Sequence, residues 1–148
     1  MPKLKPGDQA PDFTLPATDG SHLTLSRTWS NGPVVLTFYR GDFCPVCNRY
    51  LHTLQESASQ FREAGAQIVA ISADAPDLES RTVERHHLSF PVLSDPQCKA
   101  VSACDVVYNE RQGHAEPATF IISGPLGRPT PEDLMKIVRM VARRQDAA

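Results

Sequence analysis

The sequence predicts an α/β fold with a mostly parallel central sheet flanked by helices, and three observations carry that prediction. Val34 to Tyr39 and Ile68 to Ile71 are apolar runs rich in β-branched residues and without polar alternation, the pattern of strands covered on both faces. Between them, Cys47, Leu51, Leu54, Ala58 and Phe61 recur at the spacing of one helical face. Further on, strand-like and helix-like segments keep alternating, which is how a parallel sheet with crossover helices reads.

In chain order, Asp12 to Leu25 predicts a small hairpin, two brief strands around the turn dipeptide Asp19-Gly20. Val34 to Tyr39 is the central strand. A helix is expected from about Pro45 to Ala64, ended by Gly65, then a buried strand from Gln67 to Ser72. Asp77 to His87 reads as a second helix, Phe90 to Leu93 as a short strand and Pro96 to Cys104 as a short helix. Asp105 to Glu116 reads as a long loop and Thr119 to Ile122 as another buried strand. Thr130 as N-cap, Pro131 at the first helical position and Glu132 and Asp133 in the first turn predict a last helix to about Arg143.

The 148 residues fit a single domain, 1–148, and the 13 prolines punctuate element boundaries without forming a linker. An apolar fraction of 41% and a charged fraction of 22% are globular values and set disordered and collagenous classes aside. A formal charge of -2 with no long basic run argues against nucleic acid as a partner. The opening residues lack the apolar core of a secretory signal, and no apolar stretch approaches the roughly 20 residues that span a bilayer. The expectation is a soluble, cytoplasmic protein with no membrane partner. Four cysteines are too few for a disulfide scaffold, and a reducing compartment keeps them as thiols, so any pair at special spacing is weighed as chemistry.

That pair is Cys44-Pro45-Val46-Cys47, standing between a buried strand and a helix start. With Pro45 at the first helical position, Cys44 falls at the N-cap, facing free N–H groups and the positive end of the helix dipole, which stabilise a thiolate. Arg40 and Arg49 add positive charge nearby. Cys47 falls on the apolar stripe, so its sulfur is expected inward and that of Cys44 accessible. This asymmetry suits thiol–disulfide exchange, one sulfur attacking and the other resolving the mixed disulfide. A structural pair of small apolar cysteines and a zinc site are the competing readings; Cys98, Cys104 and His52 do not complete a metal-ligand spacing, so no metal and no organic cofactor is expected. Cys104 reads as a core residue and Cys98 as a solvent-facing spectator. Most histidines read as surface residues, with His114 placed to border the site, and Asp42 reads as a solvated loop residue. Glu116-Pro117-Ala118-Thr119-Phe120 puts a proline just before a buried strand; read with the cysteine pair, it predicts a cis Glu116–Pro117 peptide that offers backbone groups to a substrate chain.

These residues carry a family resemblance. Pro6 to Leu15 resembles the opening of the alkyl hydroperoxide reductase/thiol-specific antioxidant (AhpC/TSA) redoxins, and Arg40 to Cys47 resembles the active-site motif of a peroxiredoxin-like branch, Arg-Gly-x-aromatic-Cys-Pro-x-Cys. Leu93-Ser94-Asp95-Pro96 resembles the family's turn before its third helix. The resemblance implies a thioredoxin fold with the N-terminal redoxin-type hairpin, although the final edge strand looks absent after Ile122, which would leave an edge open to cover by a loop, the hairpin or a second subunit in a homodimer. It also implies an oxidoreductase. A typical peroxiredoxin reads Pro-x-x-x-Thr-x-x-Cys with the last cysteine attacking peroxide; those positions here are Arg40, Cys44 and Cys47, and the peroxide-polarising arginine is replaced by Pro117. Arg40 or Arg111 is the candidate substitute donor. In thioredoxins a buried carboxylate lies beneath the cysteines, where this chain offers Thr37. The expected activity is disulfide reduction by a Cys44–Cys47 couple assisted by Arg40, with Phe43, Pro45 and Pro117 contacting a protein or small-molecule disulfide and a thiol donor of thioredoxin or glutathione type restoring the dithiol. The alternatives are a hydroperoxide reductase with Cys47 as the attacking sulfur, and a non-catalytic redox sensor or binding module.

Overall fold

The computed structural model describes Leu4, residues 8–123 and Arg139. Of the predicted C-terminal helix from Thr130 only Arg139, which is helical, is among the described residues, and the stretch after Ile122 where the final edge strand looked absent lies beyond them from residue 124 on.

A four-stranded sheet forms the middle layer. β3 (Val34–Phe38) pairs in parallel with β4 (Gln67–Ser72), which pairs in parallel with β5 (Val92–Ser94); β8 (Ala118–Ile122) runs antiparallel to β3, so the order is β5-β4-β3-β8. The sheet is mostly parallel, as predicted. Every residue of β3 is buried because the alternating side chains serve two cores. Val35 and Tyr39 pack with Leu51, Leu54 and Phe61, while Val34, Leu36 and Phe38 pack with Leu15, Leu25, Ala100 and Val101. All five residues of β8 are half-buried, in contrast to the fully buried strand expected, because β8 has β3 on one side only among the described residues.

The predicted hairpin is present as β1 (Thr14–Pro16) and β2 (His22–Thr24), with the Asp19 carboxylate accepting from the Ser21 N–H at 2.9 Å in the turn. It leads into the short helix α1 (Leu25–Trp29). The long helix expected from Pro45 is two helices, α2 (Pro45–Glu56) and α3 (Ala58–Glu63), meeting at a buried Ser57 whose ψ of 7° leaves the helical region. The apolar stripe runs through both, so periodicity alone could not see the break. α4 (Pro76–His86) and α5 (Lys99–Ala103) lie near their expected places. The Asp95 carboxylate starts α5 by accepting from the N–H groups of Lys99, Ala100 and Val101 at 2.7–3.0 Å. The expected loop from Asp105 contains a second hairpin, β6 (Tyr108–Asn109) and β7 (His114–Ala115). Among the described residues no helix is long and apolar enough to cross a membrane.

Candidate active site

The site grows from the carboxyl end of β3, where the chain leaves the sheet through Tyr39 to Phe43 and enters α2. Cys44 is the N-cap of α2, in extended conformation with Pro45 at the first helical position, as the sequence predicts. Its sulfur accepts from the Cys47 N–H at 3.4 Å, one of the donors that a helix start leaves without a partner. Cys47, one turn in, accepts at its sulfur from the Arg40 backbone N–H at 3.5 Å. Each sulfur is therefore met by one main-chain N–H, Cys44 by that of Cys47 and Cys47 by that of Arg40. All four cysteines of the chain are thiols.

One expectation is corrected here. Cys44 is not the accessible partner of a buried Cys47: the two residues are 6% and 5% exposed, both members of the core cluster that includes Tyr39, Leu51 and Leu54. What distinguishes them is the approach. A cavity of about 190 Å³ is lined by Cys47 together with Val46, Tyr50, Pro117, Ala118 and Thr119. Its polar floor is a hydroxyl chain, Thr37 Oγ1 3.0 Å from Thr119 Oγ1 and Tyr50 Oη 3.4 Å from that same atom. Burial pushes the Cys47 thiol up, with the hydrogen bond to Cys44 adding to the rise, while the Arg40 N–H and guanidinium oppose it.

The Glu116–Pro117 peptide is trans, as are all described peptides, so the expected cis-proline is corrected as well. Pro117 nonetheless lines the cavity beside Cys47. It stands at a strand entry, directly before β8, where a proline needs no donor and a trans bond carries the chain straight into pairing with β3. Phe43 is 62% exposed and Val46 53% exposed, and Pro45 is exposed between them, so the rim of the site is apolar. The Arg40 guanidinium reaches Glu116 Oε2 at 3.1 Å, and that contact raises its already high pKa. Arg49, the other arginine considered, is exposed on α2.

Several residues of this region were not singled out by sequence reasoning or were placed differently by it. Asp42 is no solvated loop residue: its side chain is only 10% exposed, and its carboxylate accepts from Thr82 Oγ1 at 2.7 Å and pairs with Arg85 at 3.2 Å. Its backbone N–H donates to Asp74 Oδ2 at 2.8 Å, and its carbonyl accepts from the Asn48 amide at 2.8 Å. The loop before α2 is thereby tied to α4 and to the turn after β4. Gly41 is needed in it, since a Cβ there would stand 2.8 Å from Asp74 Oδ1. His114 is buried, with its ring 5.4 Å from that of Phe43, and reaches Glu116 Oε1 at 3.8 Å. A buried carboxyl that sequence reasoning did not single out comes from α4: Glu79 is fully buried, accepts from Ser72 Oγ at 2.7 Å, and is pushed up to about 8 by burial. Cys104 is buried as expected, with its thiol pushed up to about 12 by the same cause. Cys98, expected to face solvent, is half-buried at the start of α5, and its thiol too is raised.

A dithiol at the mouth of a helix, set at the carboxyl end of the central strand of this sheet, defines a thiol oxidoreductase of thioredoxin fold. Residues 6–125 match the family model described as the AhpC/TSA family, and the chain belongs to that family. A putative peroxiredoxin of Mycobacterium tuberculosis is 32% identical over 120 residues, covering 81% of this chain and 75% of that protein. The thiol-disulfide oxidoreductase ResA of Halalkalibacterium halodurans is 33% identical over 98 residues, 66% of this chain and 54% of the other. Among solved structures, peroxidoxin BcpB from Mycobacterium tuberculosis superposes with a TM-score of 0.73 at 26% identity, covering 93% of this chain and 96% of that one. The protein is a peroxiredoxin-like oxidoreductase, in agreement with the resemblance read from Pro6–Leu15 and Arg40–Cys47.

Proposed function

We propose that the chain, as one domain, cycles Cys44 and Cys47 between dithiol and disulfide and reduces disulfide substrates. The observation that carries this reading is the N-cap geometry. Cys44 holds its sulfur against the Cys47 N–H at the positive end of α2, and Cys47 stands one turn behind it with a thiol kept protonated by burial. The Cys44 thiolate attacks a substrate disulfide, forming a mixed disulfide and releasing one substrate thiolate. Cys47 then gives up its proton and attacks Cys44 Sγ, closing the Cys44–Cys47 disulfide and releasing the second substrate thiolate. Two electrons and two protons from a thiol donor, of thioredoxin or glutathione type, restore the dithiol. Phe43 and Pro45 on the rim and Pro117 at the cavity contact the substrate; with its peptide trans, Pro117 serves as a cavity wall and offers no cis-proline groove. The reaction suits a reducing, cytoplasmic setting, and a homodimer built on the β8 edge is compatible with it.

The cavity favours a second reading. It opens onto Cys47 and not Cys44, and its size suits a small hydroperoxide. In that reaction the Cys47 thiolate attacks the peroxide oxygen, becomes a sulfenic acid and releases an alcohol or water. Cys44 then attacks the oxidised sulfur, expelling water and closing the same disulfide, with Arg40 as the donor toward the developing charge. The mycobacterial relative and the ResA relative lend weight to the peroxide and disulfide readings respectively.

One experiment separates the two. Cys47→Ser should react once with a disulfide and trap a mixed disulfide on Cys44, while Cys44→Ser stays inert toward both substrates. Sulfenic acid on Cys47 of the Cys44→Ser protein, with fast peroxide consumption, reverses the roles and makes hydroperoxide the substrate. No reaction with either substrate in the unsubstituted protein, although the disulfide forms, leaves a redox sensor.

A further inference from the structure

The antiparallel pairing of β3 with β8 ends at Phe38 opposite Ala118. Continued for two residues in the same register, it sets Tyr39 opposite Pro117 and Arg40 opposite Glu116. The pairing thus explains how two residues 76 positions apart meet at 3.1 Å beside the cysteines. Glu116 is firmly held. Its N–H donates to the Val107 carbonyl at 2.8 Å, and the residue after it is a proline directly before β8. Arg40 is held at its backbone, where its N–H meets Cys47 Sγ, but its side chain is 42% exposed. Among the described residues that side chain has one hydrogen bond, to Glu116 Oε2, and its buried Nε has no partner.

We propose that Glu116 is a positioning residue for the thiol pair: by anchoring the Arg40 guanidinium it keeps that positive charge beside Cys44 and Cys47, and without the anchor Arg40 turns away into solvent. A long side chain held by one contact and half open to water regains rotamer freedom once that contact goes. Arg40 interacts electrostatically with both sulfurs, and its charge lowers the Cys47 pKa against the effect of burial. Among the described residues the other group facing the Glu116 carboxylate is His114, at Oε1, so the two oxygens face two different partners and Arg40 has one of them. The inference rests on Cys44 and Cys47 being the reactive pair. It differs from a simple charge count in sign: if Glu116 merely offset Arg40, its removal would make the thiols more acidic, whereas loss of an anchor makes them less so.

The test is the pH profile of iodoacetamide alkylation, read by peptide mass spectrometry so that Cys44 and Cys47 are followed apart from Cys98 and Cys104. In Glu116→Gln the midpoint for the pair should rise by about half to one pH unit, or about three- to tenfold slower labelling at neutral pH. Arg40→Met should raise it similarly, and adding Glu116→Gln to Arg40→Met should raise it no further, because only the negative charge of Glu116 is then removed. A lowered or unchanged midpoint in Glu116→Gln alone, or an equal rise in the Arg40→Met background, overturns the proposal. Should Glu116→Gln not fold, Glu116→Asp carries the same test, because the shorter side chain draws the carboxylate away from the guanidinium. The same digests of oxidised protein report the Cys44–Cys47 disulfide. Its absence would refute the redox cycle independently of the alkylation profiles.

Discussion

Glu79→Gln should abolish a large part of the dependence of stability on pH. In the folded protein the Glu79 carboxyl is fully buried on α4; Oε1 accepts from Ser72 Oγ, while Oε2 has no partner among the described residues. Burial comes first in raising its pKa, and the negative charges of Asp74 and Asp95 add to it, so ionisation moves from the ordinary 4.5 to about 8. Across that interval the unfolded chain has released a proton that the folded chain keeps. Stability from this group is therefore complete below pH 4.5 and declines as pH rises through about 8. At about 1.4 kcal/mol per pH unit the loss is about 3 kcal/mol at pH 7 and levels off near 5 kcal/mol above pH 8. The amide that Glu79→Gln introduces keeps the acceptor for Ser72 and cannot ionise. Urea unfolding under reducing conditions, followed by fluorescence of the single tryptophan, Trp29, should give similar stabilities for the two proteins at pH 5. The variant should then gain a lead of about 3 kcal/mol at pH 7 and more at pH 9. Titrating groups that do not interact with Glu79 are common to both proteins and cancel in the difference. A difference that stays constant from pH 5 to pH 9 would refute the reasoning.

Arg40→Met should slow reaction with hydrogen peroxide by about 10²–10³-fold if its guanidinium supplies the donor that Pro117 cannot, with a smaller loss on a model disulfide; equal losses on both would assign Arg40 to thiol acidity alone. Asp42→Ala removes the acceptor shared by Thr82 and Arg85 and should cost about 1–3 kcal/mol in denaturant unfolding, with faster hydrogen exchange in residues 40–44. Gly41→Ala should be destabilising by about 1–3 kcal/mol in the same assay, because its Cβ meets the Asp74 carboxylate that holds the loop; an unchanged midpoint would show that the carboxylate moves freely. Tyr50→Phe keeps the ring and removes one hydroxyl from the cavity floor, so the fold should hold within about 0.5 kcal/mol in thermal unfolding.

Local chemistry was legible in the sequence. A β-branched run without polar alternation buries both faces of β3 wherever it is placed, and Cys44 before Pro45 makes an N-cap because a proline at the first helical position and free N–H groups behind it are properties of neighbouring residues. The alternation of elements, the Asp19-Gly20 hairpin and the dithiol at a helix mouth follow from the same short-range rules. What only the tertiary structure decided depends on residues distant in the chain. The exposure of Cys44 is set by its burial in the core cluster that includes Tyr39 and Leu51, not by its place at a helix end. Asp42 turned from a loop charge into a tie because α4 brings Thr82 and Arg85 to it, and Glu79 is buried because β4 sets Ser72 under the inner face of that helix. Pro117 is trans because the chain runs directly into β8. The meeting of Arg40 with Glu116 is a matter of strand register. No window of sequence contains both residues, and slipping the β3–β8 pairing by one residue would send their side chains to opposite faces.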